Sequence, residues 1–377
     1  MRSPAADQSH ELVFGAEIIG AEQRTATARC HFFACVLVSP IGRQSPGTDA
    51  ASRRERVMHR SVLITGGAGY IGSRLAFKLA GQPNTSVVVL DNFRRGTPEA
   101  LRLSTESVRL IRGDVRDADL LEDLTRDKDV VYHLAAESAV LSAQSNPDYC
   151  FSTNVTGTLN VLRAAKKTGA RRVVFASSRE VYGDAQCLPV SESTPLRPCN
   201  EYGASKASAE MYCQAFQSLG VDVTIVRLSN VYGPGDRGRV IPAFVERALA
   251  DDPLTLFGAR QVLDFVWIGI VIQALVLLGA ERYISCPLNI ASGKGVAITE
   301  LADRIVAQSG SGSSVTIAPA RESEVVRFVA DTRAAQAALG LDPPDDPMFG
   351  LDEVIRAARA EKSGIERNLM LTSASVY

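Results

Sequence analysis

The chain of 377 residues contains little of what a metal centre, a disulfide-stabilised domain or a nucleic-acid-binding surface requires. Its seven cysteines are scattered, odd in number and without a Cys-x-x-Cys pair, and it has only four histidines. We therefore expect no metal site and no disulfide framework, but reduced thiols in a cytoplasmic protein. The net charge is −1, so no general electrostatic attraction to nucleic acid is expected either.

An apolar run long enough to span a membrane is also missing from the sequence. A membrane-spanning helix needs about 20 apolar residues, whereas the apolar segment 266–280 has 15 and includes Gln273. We interpret 262–268 as a buried strand that is followed by a buried helix from about Ile270. The first residues show no charged start with an apolar stretch and a cleavage site, so neither membrane association nor a secretory signal is predicted.

The two ends of the chain lack the alternation of strand and helix patterns found elsewhere. Residues 1–57 are rich in Ala, Ser and Arg and end in a basic run. We interpret them as a disordered or spurious N-terminal extension, the second case corresponding to a natural start near Met58. Residues 363–377 are expected to form a frayed tail.

The most informative stretch is an apolar strand that runs into a Gly-x-x-Gly-x-x-Gly turn. Gly66 permits a tight turn, Gly69 lets the backbone approach a pyrophosphate, and Gly72 lets the following helix pack closely on the strand. The N-terminus of that helix offers unpaired N–H groups and a positive dipole end to an anion, and we expect Tyr70 and Ile71 just before it to contribute to binding. The pattern predicts a dinucleotide-binding site.

A second strand, 86–90, ends in an acidic residue, Asp91, followed by Asn92. A carboxylate here can accept hydrogen bonds from both ribose hydroxyls of an adenosine and repels a 2′-phosphate, which favours NAD over NADP. Two alternatives stay open. Arg94 and Arg95 could hold a phosphate, and Asp91 could merely cap a loop.

Strand and helix patterns alternate along most of the chain. Strands are predicted at 62–65, 86–90, 107–111, 129–133, 172–177 and 222–227, and helices at 72–81, 117–125, 152–168 and 202–219. Such alternation predicts an α/β fold with a doubly wound parallel sheet, and ligands bind such sheets at the carboxyl ends of the strands. We expect Asp114 and Val115 after the third strand to lie near the adenine. Leu134, Ala135 and Ala136 after the fourth strand leave room for a dinucleotide.

The regularity weakens from about Gly233, where Pro and Gly become frequent. We predict a dinucleotide-binding domain with the catalytic residues at 58–232 and a smaller, mainly substrate-binding lobe at 233–362. Strand 262–268 and segment 288–290 are expected to return to the main sheet, so that the two parts are interleaved.

A candidate catalytic group is found after the fifth strand. Ser178 lies beyond this strand, and Tyr202 and Lys206 are spaced four apart on one face of the next helix. A free phenol has a pKa of about 10, and the Lys206 ammonium together with an oxidised nicotinamide would lower it into the range of a general base. Ser178 would orient the substrate hydroxyl, and Lys206 would also hold the nicotinamide ribose.

As a set, these motifs resemble the extended short-chain dehydrogenase/reductase family. More narrowly, they are similar to its NAD-dependent nucleotide-sugar epimerase/dehydratase branch, which includes the UDP-glucose 4-epimerases. The resemblance covers about 60–360 and rests on Thr65–Gly72, Asp91-Asn92, Gly113–Val115, His133–Ala136, Ser177-Ser178, Val181–Gly183, Tyr202, Lys206 and Arg227–Gly235. It implies a Rossmann-type domain with tightly held NAD, a lobe that binds a nucleoside diphosphate sugar, and a homodimer joined through a four-helix bundle.

The resemblance also implies substrate-binding residues. Asn230 would contact the substrate, Arg321 the diphosphate and Glu324 the nucleoside ribose. A guanidinium fork suits phosphate oxygens, although a surface salt bridge is the alternative for Arg321. Many relatives have an arginine where this chain has Leu263, so that a diphosphate contact is lost or is supplied by Arg260.

The fate of a 4-keto sugar intermediate decides the reaction in this branch. Its dehydratases and decarboxylases place a glutamate two residues after the catalytic Ser/Thr, as Glu180 is here, for acid–base steps near C5. Arg179 stands where dehydratases use an acid, and arginine does not lose its proton near neutrality. Arg179 could pair with a sugar carboxylate, or the two residues could form an ordinary ion pair.

These residues favour an isomerase, a 4-epimerase acting on a UDP-hexose or UDP-uronate. The first alternative is a lyase, either a UDP-glucuronate decarboxylase or an NDP-glucose 4,6-dehydratase. An inactive NAD-binding sensor is the alternative of another class, and it is disfavoured because Ser178, Tyr202 and Lys206 are all present.

Overall fold

Seven parallel strands form the central sheet of the structure, a computed structural model that describes residues 60–101, 108–280, 283–320 and 325–363. The predictions for 1–57 and for all but the first residue of 363–377 therefore lie outside the described residues. The strands are β1 (Arg60–Thr65), β2 (Thr85–Asp91), β3 (Val108–Arg112), β4 (Val130–His133), β5 (Arg172–Ser178), β6 (Val223–Leu228), β7 (Asn230–Tyr232), β8 (Leu254–Phe257), β9 (Val262–Trp267), β10 (Leu288–Ile290), β11 (Gly295–Ala297) and β12 (Val315–Ala318).

Helices come after most of these strands in the chain. They are α1 (Tyr70–Ala80), α2 (Ala118–Thr125), α3 (Val140–Ser145), α4 (Pro147–Phe151), α5 (Gly157–Thr168), α6 (Glu201–Ser218), α7 (Val240–Leu249), α8 (Ile268–Ala280), α9 (Ile298–Ser309), α10 (Arg333–Leu339) and α11 (Leu351–Lys362). Short 3₁₀ turns occupy Pro98–Leu101 and Arg179–Tyr182, and a π-helical turn, Ser152–Thr156, precedes α5.

The strand order of the main sheet is β10-β6-β5-β4-β1-β2-β3. Val62, Leu63 and Ile64 of β1 are fully buried, because helices cover both faces of the sheet. The chain reverses its winding direction between β1 and β4, which opens a crevice at the carboxyl ends of these two strands. The predicted Rossmann-type, doubly wound parallel sheet is confirmed.

The apolar segment near residue 270 forms a strand and a helix inside the fold. It contains the end of β9 and all of α8, as predicted. Helix α8 packs against α1 and β5, and Val271, Leu275 and Leu278 are buried. Within the described ranges, no helix is long and apolar enough to cross a membrane.

Smaller sheets carry the second half of the chain. Strand β9 pairs with β7 in parallel and with β11 antiparallel, while β8 and β12 form a separate parallel pair. The prediction that 262–268 returns to the main sheet is therefore wrong, although β10 does lie there, beside β6. One cluster of buried apolar residues that contact one another includes both Val62 and Ile355, so this cluster draws on both sides of 232–233.

The cysteines require one correction. Cys150, Cys187, Cys199 and Cys213 form no disulfide bond. Cys286, by contrast, is disulfide-bonded, so the prediction of uniformly reduced thiols is wrong at that position. Across the described part of the chain, no group of three or more His, Cys, Asp or Glu residues could hold a metal ion.

Candidate active site

The glycine turn has the geometry that its sequence predicts. Gly66 has a φ of +71°, and a Cβ atom there would lie 2.6 Å from the Ala135 nitrogen. A Cβ atom at Gly72 would lie 2.3 Å from the Gly66 carbonyl oxygen. Gly69 has an ordinary backbone conformation, with a φ of −76°, so its role is to leave space rather than to permit a turn.

A cavity of about 900 Å³ opens above this turn, at the carboxyl ends of β1 to β4. Its lining contains most of the predicted cofactor-binding residues: Gly66, Gly69, Tyr70, Gly72, Asp91, Asn92, Asp114, Val115, Leu134, Ala135 and Ala136. Three predicted cofactor-binding residues, Ile71, Tyr202 and Lys206, are not among them, and the side chain of Ile71 packs against the hydrophobic core. The glycine backbone, the small residues after β4 and the acid after β2 together fit a bound dinucleotide.

Asp91 connects the end of β2 to the glycine turn. Its Oδ2 accepts a hydrogen bond from the Ala68 N–H at 2.9 Å, and its Oδ1 accepts one from the Phe93 N–H at 2.8 Å. The carboxylate thus caps a loop and still has a free lone pair on each oxygen. The two interpretations of Asp91, loop cap and ribose acceptor, are therefore compatible.

The two arginines that could hold a 2′-phosphate contact other groups. Arg94 lies over the ring of Tyr149, 3.9 Å from its centroid, and its Nε is 3.5 Å from Glu137 Oε2. Arg95 donates a hydrogen bond of 2.7 Å to the hydroxyl of Ser138. Both guanidinium groups are thus engaged near the segment after β4.

Asp114 is held as a charged acceptor at the end where the adenine is expected. Arg116 donates from Nε and Nη2 to its two oxygens at 2.9 and 2.8 Å, and Asn92 donates to Oδ2 at 2.8 Å. The hydrogen bond from Arg116 is the main reason that the pKa of Asp114 falls to about 2, with a smaller contribution from Asn92.

The structure brings the predicted catalytic group together. Ser178 is the last residue of β5, and Tyr202 lies in the first turn of α6, which Asn200 caps by accepting a 2.8 Å hydrogen bond from the Gly203 N–H. The Ser178 hydroxyl lies near enough to act on the Tyr202 phenol. Burial raises the pKa of Tyr202 to about 12, while the Ser178 hydroxyl and the positive charge of Arg239 act to lower it.

Lys206 lies one helical turn after Tyr202 and is almost fully buried. Its Nζ donates a hydrogen bond of 2.8 Å to the Ala176 carbonyl and lies 4.8 Å from the centroid of the Phe175 ring. Burial lowers the pKa of Lys206 to about 8. The ammonium still has two further N–H donors for a ribose.

Arg179 and Glu180 form a buried ion pair directly after Ser178. Arg179 Nη2 lies 2.8 Å from Glu180 Oε1, and the amide of Asn200 donates to Glu180 Oε2 at 2.9 Å. Arg179 Nε donates to Asn230 Oδ1 at 3.2 Å, whereas its buried Nη1 has no hydrogen-bond partner. Of the alternatives for this pair, the ion pair is the one formed in the structure, and it leaves one guanidinium nitrogen available.

The predicted substrate-binding residues lie in different parts of the chain, and the structure describes only some of them. Asn230, at the start of β7, donates to the Asp264 carbonyl at 2.9 Å. The buried Asp264 carboxylate accepts hydrogen bonds from Ser292 and from the N–H groups of Gly293 and Ala330. Arg260 is exposed between β8 and β9. Arg321 and Glu324 lie outside the described residues.

Sequence reasoning missed two residues near this site. Arg239, at the start of α7, lines the cavity and acts on Tyr202. Asn154 lies in the π-helical turn, and its amide donates at 2.9 Å both to the Glu137 carbonyl and to the Ser205 hydroxyl. Poor helix formers at 152–156, within a predicted helix, were the available signal for Asn154, because π-helical turns concentrate at functional sites.

The fold and the cavity define a dinucleotide-binding α/β protein with a Ser/Tyr/Lys group beside the cofactor site. Residues 62–290 match the NAD dependent epimerase/dehydratase family, and the chain belongs to that family. It is thus an enzyme whose cofactor is NAD.

Three relatives show what the chain is similar to. A putative UDP-glucose 4-epimerase of Methanocaldococcus jannaschii is 36% identical over 303 residues, 78% of this chain and 97% of the relative. UDP-glucuronic acid decarboxylase 1 of Xenopus tropicalis is 33% identical over 80% of this chain and 73% of the relative. The crystal structure of the Thermus thermophilus UDP-glucose 4-epimerase in complex with NAD is 31% identical, with a TM-score of 0.73 over 79% of this chain and 99% of that one.

Proposed function

We propose that this protein is an NAD-dependent nucleotide-sugar 4-epimerase that acts through a transient 4-keto sugar, with a UDP-hexose or UDP-uronate as substrate. Relatives named as UDP-glucose 4-epimerases support the branch. One observation separates this reaction from the lyases of the same branch: protein groups bind both carboxylate oxygens of Glu180.

Both carboxylate oxygens of Glu180 are already engaged. One pairs with Arg179 at 2.8 Å and the other accepts from Asn200 at 2.9 Å. An acid–base group must exchange a proton with substrate, and a carboxylate whose two oxygens are both bound by protein groups is poorly placed for that exchange. Epimerisation at C4 needs no group at C5, and a fixed Glu180 is compatible with it.

In the proposed mechanism, Tyr202 accepts the proton of the sugar C4 hydroxyl through a hydrogen bond, and Ser178 orients that hydroxyl. NAD, held by the glycine turn and Asp91, would supply the redox chemistry, taking up the C4 hydride and giving it back to the opposite face of the ketone. Tyr202 then gives the proton back to the C4 oxygen. The charge of Arg239 favours the phenolate form of Tyr202, and Lys206 holds the ribose next to the reacting carbon.

The substrate is proposed to lie between the catalytic group and the second half of the chain. Asn230 is fixed from two sides, by Arg179 and by the Asp264 carbonyl, and is thereby preorganised for a sugar or phosphate contact. Arg179 Nη1 offers a further buried donor. Arg260, Arg321 and Glu324 remain proposals for the nucleotide, and 233–362 for the substrate lobe.

A UDP-glucuronate decarboxylase is the second candidate. It is supported by the presence of Glu180, by the chemistry that lets Arg179 pair with a sugar carboxylate, and by a decarboxylase relative that is 33% identical over 80% of this chain. Arg179 in place of an acid counts against a 4,6-dehydratase, because arginine cannot protonate a leaving hydroxyl.

The test is incubation of the NAD-loaded protein with UDP-, dTDP-, GDP- and CDP-sugars, with the products read by NMR. We expect a mixture of C4 epimers from a UDP-sugar. Carbon dioxide release from UDP-glucuronate, or a 4-keto-6-deoxy product, would show that the protein is a lyase and not an epimerase. Bound NAD without any product would support a sensor.

We further propose a cytoplasmic homodimer. Large apolar side chains are exposed on three helices that pack together, α3, α4 and α6: Leu141, Phe151, Met211 and Tyr212, at 58%, 58%, 51% and 40% exposure. Such a patch is typical of an interface, and helices from two copies could build a four-helix bundle. Four cysteines without a disulfide bond support the cytoplasm, whereas the disulfide-bonded Cys286 counts against it.

Light scattering should give twice the chain mass, and Phe151→Glu should yield monomers. Ile317→Glu is the matched control, because Ile317 is 70% exposed but lies on β12, outside the patch. A monomeric parent protein would contradict the dimer.

A further inference from the structure

A buried network of charged and polar side chains lies behind the proposed catalytic group. It starts at Glu210, which comes after Tyr202 and Lys206 at intervals of four on α6 and therefore lies on the same helical face. Glu210 is fully buried, and its partner Arg227 on β6 is only 4% exposed. Removing two charges from water is costly, so such a pair persists only with close geometry and further hydrogen bonds.

The geometry of this pair meets that condition. Arg227 Nε lies 3.0 Å from Glu210 Oε1, and Arg227 Nη2 lies 2.7 Å from Glu210 Oε2. A two-pronged pairing of this kind fixes the orientation of the carboxylate as well as its position. Glu210 Oε1 also accepts a short hydrogen bond from the Ser177 hydroxyl.

Ser177 makes this network relevant to the reaction, because it directly precedes Ser178. The end of β5 is bonded to α6 at two consecutive residues, Ala176 through its carbonyl to Lys206 and Ser177 through its hydroxyl to Glu210. These two contacts fix the last residue of the strand relative to the helix that carries Tyr202.

The other end of the network reaches the turn with Arg179 and Glu180 and the edge of the sheet. Arg227 Nη1 donates to the Tyr182 hydroxyl at 2.8 Å, and this hydroxyl donates to Asn289 Oδ1 on β10 at 2.7 Å. The Asn289 N–H in turn donates to Glu192 Oε1 at 2.9 Å. Four separate stretches of chain around the site are thereby held in one arrangement.

We propose that Glu210 is a positioning residue for the reaction, which acts through Ser177 to hold Ser178 beside Tyr202. The inference rests on the proposed function, since it takes Ser178, Tyr202 and Lys206 as the catalytic group. Lys206 is tied to the same strand by its own hydrogen bond to the Ala176 carbonyl.

The first variant is Ser177→Ala, which cuts the link to the strand and leaves the ion pair intact. We expect kcat to fall by about 10- to 100-fold, the usual cost of a small misplacement, while KM and NAD affinity stay within about twofold. Ser208→Ala is the matched control, because the Ser208 hydroxyl bonds to the Ala204 carbonyl on the exposed face of the same helix. It should leave kcat unchanged.

The second variant is Glu210→Gln, which keeps the shape and removes the charge. The two-pronged pairing with Arg227 that orients the side chain is then weakened, so kcat should fall while KM and NAD affinity stay within about twofold. A merely structural role would lower the melting temperature without separating kcat from KM.

The inference is overturned if Ser177→Ala retains kcat within twofold of the parent, or if Glu210→Gln retains the kcat of the parent. The failure of the proposed function looks different. In that case the parent protein itself gives no C4 epimer, and the positioning effect is read on whichever product the substrate panel reveals.

Discussion

The cofactor side and the catalytic side of this site are built in different ways. The cofactor side consists of backbone, glycines and small residues, and its turn is specified within seven residues, Gly66 to Gly72. The catalytic side depends on side-chain contacts between distant parts of the chain, such as Arg227 with Glu210, 17 residues apart, and Tyr182 with Asn289, 107 residues apart. A substitution on the first side should therefore act locally on binding, and one on the second should act on turnover.

The largest effect is expected from Tyr202→Phe, which tests the catalytic side. The variant keeps the ring and loses the proton acceptor, so kcat should fall by about 10²- to 10⁴-fold with little change in NAD or sugar affinity. Tyr212→Phe, on an exposed part of α6, is the control. If Tyr202→Phe keeps most of its activity, another group transfers the proton.

Asp91→Ala tests the cofactor side and should produce the opposite pattern. Loss of a charged acceptor for the ribose hydroxyls should weaken NAD binding by about 10- to 100-fold, with a much smaller effect on NADP. Calorimetric titration with both dinucleotides measures this, with Asp123→Ala on the exposed face of α2 as control. Tighter binding of NADP than of NAD by the parent would show that Asp91 does not select the cofactor.

Arg239→Gln addresses the boundary between the two sides, because Arg239 lines the cofactor cavity and also acts on Tyr202. Its positive charge lowers the pKa of Tyr202, so its removal raises that pKa. The base is then deprotonated only at higher pH, and the acid limb of the kcat/KM profile should move to higher pH. Activity at pH 7 should fall by up to about tenfold, the change given by one pKa unit.

Arg247→Gln, on the exposed side of α7, should leave that profile in place. An unshifted acid limb in Arg239→Gln would mean that the cofactor side does not influence the base, and the two sides would then be electrostatically separate.

The smallest effect on turnover is expected from Glu180→Gln. A C4 epimerase breaks only C4–H and O–H bonds, so the loss should stay under about tenfold, or about 1.4 kcal/mol of barrier. Because Arg179 loses its buried counter-ion, the melting temperature should fall more clearly than the rate. Glu201→Gln, exposed at the start of α6, is the control. A loss of a hundredfold or more would assign Glu180 to C5 chemistry and favour the decarboxylase.

The same contrast explains what the sequence could predict. Strand patterns with buried Val, Leu and Ile were sufficient to place β1, β2, β4 and β5 within two residues of their ends, because each strand is buried on both faces. Glycine spacing predicted the turn, since only glycine fits at Gly66 and Gly72. Both features depend on residues that are close together in the sequence, so a sequence pattern is sufficient to predict them.

The features that were not predicted correctly depend on contacts between distant residues, and a sequence pattern does not contain these contacts. Strand β9 looks like another core strand, but its partner is β7, and only tertiary packing decides between that pairing and the main sheet. Arg239 and Glu210 look like ordinary charged helix residues until the fold places one in the cavity and the other beside Ser177. The pairing of Glu180 with Arg179 was predicted as an alternative, whereas its second partner, Asn200, was not.

Asp264 ties together parts of the chain that would otherwise open independently. Its carboxylate accepts hydrogen bonds from the N–H groups of Ser292, Gly293 and Ala330. Its backbone carbonyl accepts hydrogen bonds from the side chains of Ser229 and Asn230. Segments that share one anchor exchange their amide protons in one cooperative opening rather than piece by piece. Hydrogen exchange at those three amides should therefore proceed at a common opening free energy, and Asn230 should become mobile only when all three open.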